Sequence, residues 1–117
     1  MSQPDQPLLP PAMLGILGGG QLGRFFVIAA HEMGYKVTVL DPDPKSPAGI
    51  IADIHLCKSY DDLSALEVMR NTCQGVTTEF ENVPADSMDF LSKKIHVSPS
   101  AESVRVAQYR VLEKTFL

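Results

Sequence analysis

Three glycines carry the first chemical signal in this chain. Gly18, Gly20 and Gly23 lie in the run Ile16–Arg24, between an apolar strand and an apolar helical pattern. Their spacing is that of the strand–turn–helix arrangement that cradles phosphate. Gly18 permits the tight turn, Gly20 lets a ligand approach the backbone, and Gly23 lets helix and strand close on each other. The free N–H groups at the helix start would then face a crevice as a ready anion site, so the pattern predicts a phosphorylated ligand. Three acids could complete the chemistry. Asp41 ends the next strand about 20 residues beyond the glycines, where a dinucleotide domain places a ribose-binding acid; it equally begins a turn with the prolines that follow. Glu79 and Glu81 are two apart, so on a strand both side chains leave one face. Such a pair can accept hydrogen bonds from sugar hydroxyls, hold a cationic amine, or simply form a solvated acidic loop.

These residues need a scaffold, and the apolar periodicity predicts one. Met13–Leu17 reads as a strand. Leu22, Phe25, Phe26, Ala29, Ala30 and Met33 recur at helical spacing, and Gly34 stands where a helix C-terminal glycine belongs. Lys36–Leu40 is a short β-branched strand stopped by Asp41, Pro42, Asp43 and Pro44. Residues 42–50 read as a loop, followed by a short strand around Ile54–Cys57. Asp61 or Asp62 can cap a helix whose apolar positions are Leu63, Leu66, Val68, Met69 and Cys73. Gly75 precedes a strand over 76–81, and Pro84 suits the first turn of a helix with Met88 and Leu91 inward. Ile95–Val97 makes one more strand, and Ser98-Pro99 opens a last helix through Val104, Ala107, Val111 and Leu112. Strands alternating with helices imply right-handed β–α–β crossovers, hence an α/β fold with an open parallel sheet and helices on both faces. Ligands of such sheets bind beyond the carboxyl ends of the strands. The glycine turn, Asp41 and the Glu79–Glu81 segment all fall there.

Composition bounds the reading. The 117 residues suit one domain. A hydrophobic content of 44% with 21% charged residues is ordinary for a soluble globular protein. Fourteen acidic against ten basic side chains give a net charge of -4, and no Lys/Arg cluster stands out, which argues against a nucleic-acid surface. No run approaches the roughly 20 apolar residues that span a bilayer, so no membrane partner is predicted. Residues 1–12 are proline-rich and lack a basic residue, reading as a flexible tail rather than a secretory signal. Cys57 and Cys73 lack metal-ligand or redox spacing; read as reduced core residues rather than a disulfide, they point to a cytoplasmic location. His31, His55 and His96 are scattered, so no metal site is predicted. Arg24 and Arg110 could each contact phosphate, although a lone helical arginine is usually solvated.

Four segments together are more specific: Gly15–Arg24, Val39–Asp43, Thr78–Pro84 and Ala107–Lys114. They resemble the 5-(carboxyamino)imidazole ribonucleotide synthetases, ATP-dependent enzymes of bacterial de novo purine synthesis in the ATP-grasp superfamily. The resemblance runs from Met13 to Leu117 and turns on Gln21-Leu22 after the glycines and on the run Glu79–Asn82. It implies that residues 13–117 form a Rossmann-like pre-ATP-grasp domain contributing to the nucleotide-substrate site. The whole enzyme would use ATP and bicarbonate to carboxylate the amino group of 5-aminoimidazole ribonucleotide. Carboxyphosphate is the implied intermediate, with ADP and phosphate released.

By the same resemblance Gly20, Gln21, Leu22 and Glu79 match the substrate site, and Glu81 supports or faces the same pocket. Arg110 matches a position that contacts ATP, and Asp41 becomes mainly a loop residue, with no NAD implied. The ATP and Mg2+ ligands belong to the ATP-grasp domains that follow in the family, as do the catalytic residues. The implied assembly is a homodimer. The chain is therefore expected to be a truncated, inactive fragment. Two other classes stand beside this reading. One is an NAD(P)-binding domain of a dehydrogenase or redox-sensing regulator, resting on Asp41; the other is a non-catalytic module docking through the apolar C-terminal helix.

Overall fold

A computed structural model describes residues 12–79 and 84–97. In chain order these form β1 (Met13–Leu17), α1 (Gln21–Glu32), β2 (Lys36–Leu40), α2 (Pro47–Ile51) and β3 (Ile54–Leu56). Then come α3 (Leu63–Thr72), β4 (Gly75–Thr78), α4 (Ala85–Ser92) and β5 (His96–Val97). The strands build one parallel sheet in the order β3-β2-β1-β4-β5. The chain winds outward from β1 to β3, then crosses back to lay β4 on the other side of β1. That reversal opens a crevice at the carboxyl ends of β1 and β4.

Strand alternation divides the core between the two faces. Ile16, Val37 and Val39 pack with Val27, Ala30 and Ala48 of α1 and α2. Leu17, Leu40 and Val76 pack with Ala65, Leu66, Met69, Cys73 and Leu91 of α3 and α4. Each fully buried Leu or Ile contributes about 1.5–3 kcal/mol, so helices are held on both faces as the alternation predicts. Gly15 lets α3 come close: a Cβ there would lie 2.6 Å from Met69 Cε.

The inner face of α1 differs from the one its large apolar residues suggest. Gly23, Val27, Ala29 and Ala30 are buried, whereas Leu22 and Met33 are 39% and 44% exposed. Small residues face inward because the helix lies tight on the sheet; a Cβ on Gly23 would sit 2.7 Å from the Gly18 carbonyl oxygen. Gly34 ends α1 as expected, at φ 89°. Its N–H donates to His31 O, and that of Tyr35 to Ala30 O, the paired bonds of a Schellman motif. In α3, Leu66 and Met69 turn inward as predicted, as does Cys73 at its C-terminal cap, but Leu63 and Val68 are exposed.

Several boundaries differ from the sequence reading. Residues 47–50, expected as loop, form α2 together with Ile51: Ser46 Oγ accepts the Gly49 N–H at 2.9 Å and Pro47 opens the helix. β4 stops at Thr78, so Glu79 lies beyond the strand. Pro84 caps α4 from outside, its carbonyl accepting the Ser87 N–H at 3.0 Å. The choice between Asp61 and Asp62 falls to Asp62, whose Oδ1 accepts the Ala65 N–H at 2.9 Å. Ala12 is buried, and its carbonyl accepts the Lys36 N–H at 2.9 Å. Residues 1–11 of the expected tail, Glu81, Arg110 and the expected last helix lie outside the described residues.

Candidate functional site

At the carboxyl end of β1 the chain turns through Gly18, at φ 105°, and enters α1 with Gly20 as its cap residue. Gly20 has no side chain with which to cap the helix. The cap comes instead from β4. Glu79 is anchored by its own N–H, which donates to Leu17 O at 2.8 Å. Its half-buried side chain turns back across the crevice. The Gly20 N–H donates to Oε1 at 2.9 Å and the Gly23 N–H to Oε2 at 2.6 Å. A carboxylate at this end of a helix is favoured by the macrodipole as well as by the hydrogen bonds.

These bonds correct the expectation of free N–H groups awaiting an anion, because a side chain of the protein already occupies that position. The role of Gly20 changes with them. A Cβ there would lie 2.9 and 3.0 Å from the two Glu79 oxygens, so the missing side chain makes room for Glu79.

From the other side of β1, Asp41 grips the same turn. Its Oδ2 accepts the Gly19 N–H at 2.7 Å and the Tyr60 hydroxyl at 2.9 Å, and its Oδ1 accepts the Asp43 N–H at 2.8 Å. His55 Nε2 lies 3.0 Å from the Asp41 carbonyl oxygen and so acts as the donor. Three bonds from its own chain make Asp41 a brace for the glycine turn, so the acid on which the dinucleotide reading rested serves the fold. The Tyr60 phenol is pushed well above its usual pKa by burial first, then by its bond to Asp41 and the charges of Asp41 and Glu79. It therefore stays protonated and keeps donating.

Gly20, Gln21, Leu22 and Glu79 thus come together at the switch point, with Gln21 and Leu22 exposed on the first turn of α1. Arg24 is exposed on the next turn. The sequence reading missed Tyr60 and Ser46. Ser46 is buried, and its helix reaches the turn through the Ala48 N–H, which donates to Gly19 O at 2.8 Å. A Ser-Pro pair after two turn prolines was the available signal for α2; Tyr60 had none.

His31 lies at the opposite edge, where Nε2 meets Asp53 Oδ2 at 2.7 Å. Cys57, expected in the core, is exposed, with its thiol 3.2 Å from Pro42 O, whereas Cys73 is buried and burial pushes its thiol up. Among the described residues no group of three or more His, Cys, Asp or Glu side chains could hold a metal ion. Nor is any helix among them long and apolar enough to cross a membrane.

A family model for the ribonucleotide synthetase preATP-grasp domain matches residues 12–108. The bifunctional purine synthesis protein of Dictyostelium discoideum is 39% identical over 116 residues, covering 98% of this chain and 12% of that protein. The N5-carboxyaminoimidazole ribonucleotide synthase of Bacillus subtilis is 37% identical over 109 residues, 93% of this chain and 29% of the relative. Among solved structures, N5-carboxyaminoimidazole synthetase from Staphylococcus aureus complexed with ADP superposes with a TM-score of 0.74 at 34% identity. That match covers 92% of this chain and 31% of the other. The Aspergillus clavatus synthase in complex with ADP and 5-aminoimidazole ribonucleotide gives a TM-score of 0.66 at 32% identity, over 89% of this chain and 29% of the other. The chain thus spans less than a third of the length of each of these relatives.

Proposed function

The chain belongs to the ribonucleotide synthetase preATP-grasp domain family, and we propose that it is the substrate-site domain of an N5-carboxyaminoimidazole ribonucleotide synthetase in de novo purine synthesis. The complete enzyme would carboxylate the amino group of 5-aminoimidazole ribonucleotide with bicarbonate, at the expense of ATP. The observation that carries the reading is the Glu79 carboxylate, fixed by the Gly20 and Gly23 N–H groups in the crevice beside Gln21 and Leu22. A carboxylate accepts at about four positions. Two are taken by the backbone, and the others can accept from ribose hydroxyls or an amine. Holding Glu79 rigid before the ligand arrives lowers the entropy lost on binding.

The glycine-turn N–H groups face carboxylates, and no group of three or more metal-binding side chains lies among the described residues, which supports a site for ATP and Mg2+ elsewhere. We therefore assign both to the remainder of the enzyme, with Arg110 approaching ATP and Glu81 supporting the substrate pocket. The chain by itself would release no ADP. A homodimeric assembly and a cytoplasmic location belong to the same proposal and rest on the resemblance.

The test is an assay of the chain joined to the rest of its synthetase, following ADP release with 5-aminoimidazole ribonucleotide, bicarbonate and MgATP. Release should depend on the ribonucleotide. Glu79→Gln should raise its KM about tenfold to a hundredfold, since a hydrogen bond to a charged group is worth roughly 1.5–3 kcal/mol. An unchanged KM and turnover would remove Glu79 from the site.

A further inference from the structure

The glycine turn keeps the shape of a phosphate cradle, yet its donors point at acids. Gly18 N–H donates to Leu40 O, Gly19 N–H to Asp41, and Gly20 and Gly23 N–H to Glu79. The Glu79 carboxylate places its two oxygens on the N–H groups that a bound phosphate would use. A phosphate entering this turn would have to displace Glu79 and then sit beside two negative charges.

We propose that Glu79 is a specificity-determining residue that occupies the anion position of the glycine turn and closes it to phosphate groups and dinucleotides. The ligand end that reaches the turn must then present hydrogen-bond donors, and any phosphate it carries must lie elsewhere. The inference stands on these hydrogen bonds alone and holds even if the ribonucleotide reading fails. A side chain at Gly20 would crowd the carboxylate, and equally any phosphate oxygen set in its place.

The experiment is a titration of the 15N-labelled 117-residue chain with inorganic phosphate, and separately with NADH, following the Gly20 and Gly23 amide resonances. In the unsubstituted chain they should not respond saturably. In Glu79→Ala they should shift saturably with phosphate, with an apparent affinity at least about tenfold higher, as expected for removing a unit charge within contact distance. Glu79→Gln keeps the volume and one acceptor oxygen, so one amide should respond and the other much less. It decides the matter if the alanine variant fails to fold by circular dichroism. A saturable response of both amides in the unsubstituted chain would overturn the proposal. So would folded variants whose Gly20 and Gly23 amides ignore phosphate, or shifts confined to other residues. Loss of ribonucleotide binding in Glu79→Gln is a separate readout, so the two proposals can fail independently.

Discussion

At the start of α1 the N–H groups of Gly20 and Gly23 are met by Glu79, 59 and 56 residues away. At its end the carbonyls of Ala30 and His31 are met by Tyr35 and Gly34, the next residues of the chain. Both ends solve one problem, since the terminal backbone groups of a helix lack partners within it. The solutions differ in what they require. The Schellman end is complete as soon as the helix forms, and it does nothing but stop it. The other end is complete only when β1 and β4 are paired, and it leaves a half-buried carboxylate in the crevice. A Ser, Thr or Asp at position 20 could have capped α1 locally, with a contribution of about 0.5–2 kcal/mol. A glycine with a remote acid instead ties the helix start to the site. The difference teaches that a cap brought from a distant strand is a positioning device as much as a stabilising one.

Breaking the remote end should cost more than breaking the local one. The largest expected effect is for Gly23→Ala, whose Cβ would lie 2.7 Å from the Gly18 carbonyl oxygen, a backbone atom with little room to yield. Helix and strand would be forced apart, at about 1–3 kcal/mol of stability by analogy with overpacked cores. The urea midpoint should fall accordingly. A Gly23→Ala chain as stable as the original would show that the turn is looser than its geometry implies.

Asp41→Ala comes next. It strips a partner from the Gly19 N–H, the Asp43 N–H and the Tyr60 hydroxyl together. The loss expected for removing these bonds at a partly buried position is about 1–2 kcal/mol. Tyr60→Phe removes one of the three bonds and should cost less. Equal losses for the two variants would mean that the bond from Tyr60 carries the whole bracing effect.

How much of this was legible in advance follows the same division between local and remote. β1 and β2 end where their apolar runs end, Gly34 marked the close of α1, and the pair Asp61-Asp62 announced α3. All of these are decided by neighbours in sequence. The inner face of α1 was misread because the close approach to the Gly18 turn and to Ala48 of α2 selects Gly23, and small or medium residues such as Val27 and Ala30 follow it inward, while Leu22 and Met33, larger and more apolar, stay outside. α2 was missed because five residues are too few to show a helical period, and its Ser46-Pro47 start follows two turn-forming prolines. The bonds from Gly20 and Gly23 to Glu79 could not be read at all, since they depend on β4 lying beside β1. Asp41 and Glu79 were legible as acids at the strand ends beside the glycine turn; what each one touches was not.

The smallest effect belongs to the exposed pair beyond the local end of α1. His31 Nε2 and Asp53 Oδ2 are 2.7 Å apart, with side chains 38% and 34% exposed, and Asp53 Oδ2 also accepts the Val37 N–H at 2.8 Å. Burial raises the Asp53 pKa, but the bonds from His31 and the Val37 N–H, with the His31 and Lys36 charges, outweigh it and hold the carboxyl below its usual value. A carboxyl depressed on folding contributes stability above its unfolded pKa, about 3.9, and loses that contribution as the pH falls through the folded value. His31→Ala at pH 7 should therefore cost only about 0.2–1 kcal/mol, less still in high salt. Asp53→Asn should behave alike at pH 7, and its deficit should shrink as the pH falls through the folded Asp53 pKa. Urea midpoints at pH 7 and across the acid range check both statements. A deficit for His31→Ala as large as that for Gly23→Ala would break the comparison, because an exposed side-chain pair would then hold α1 as firmly as the crevice does.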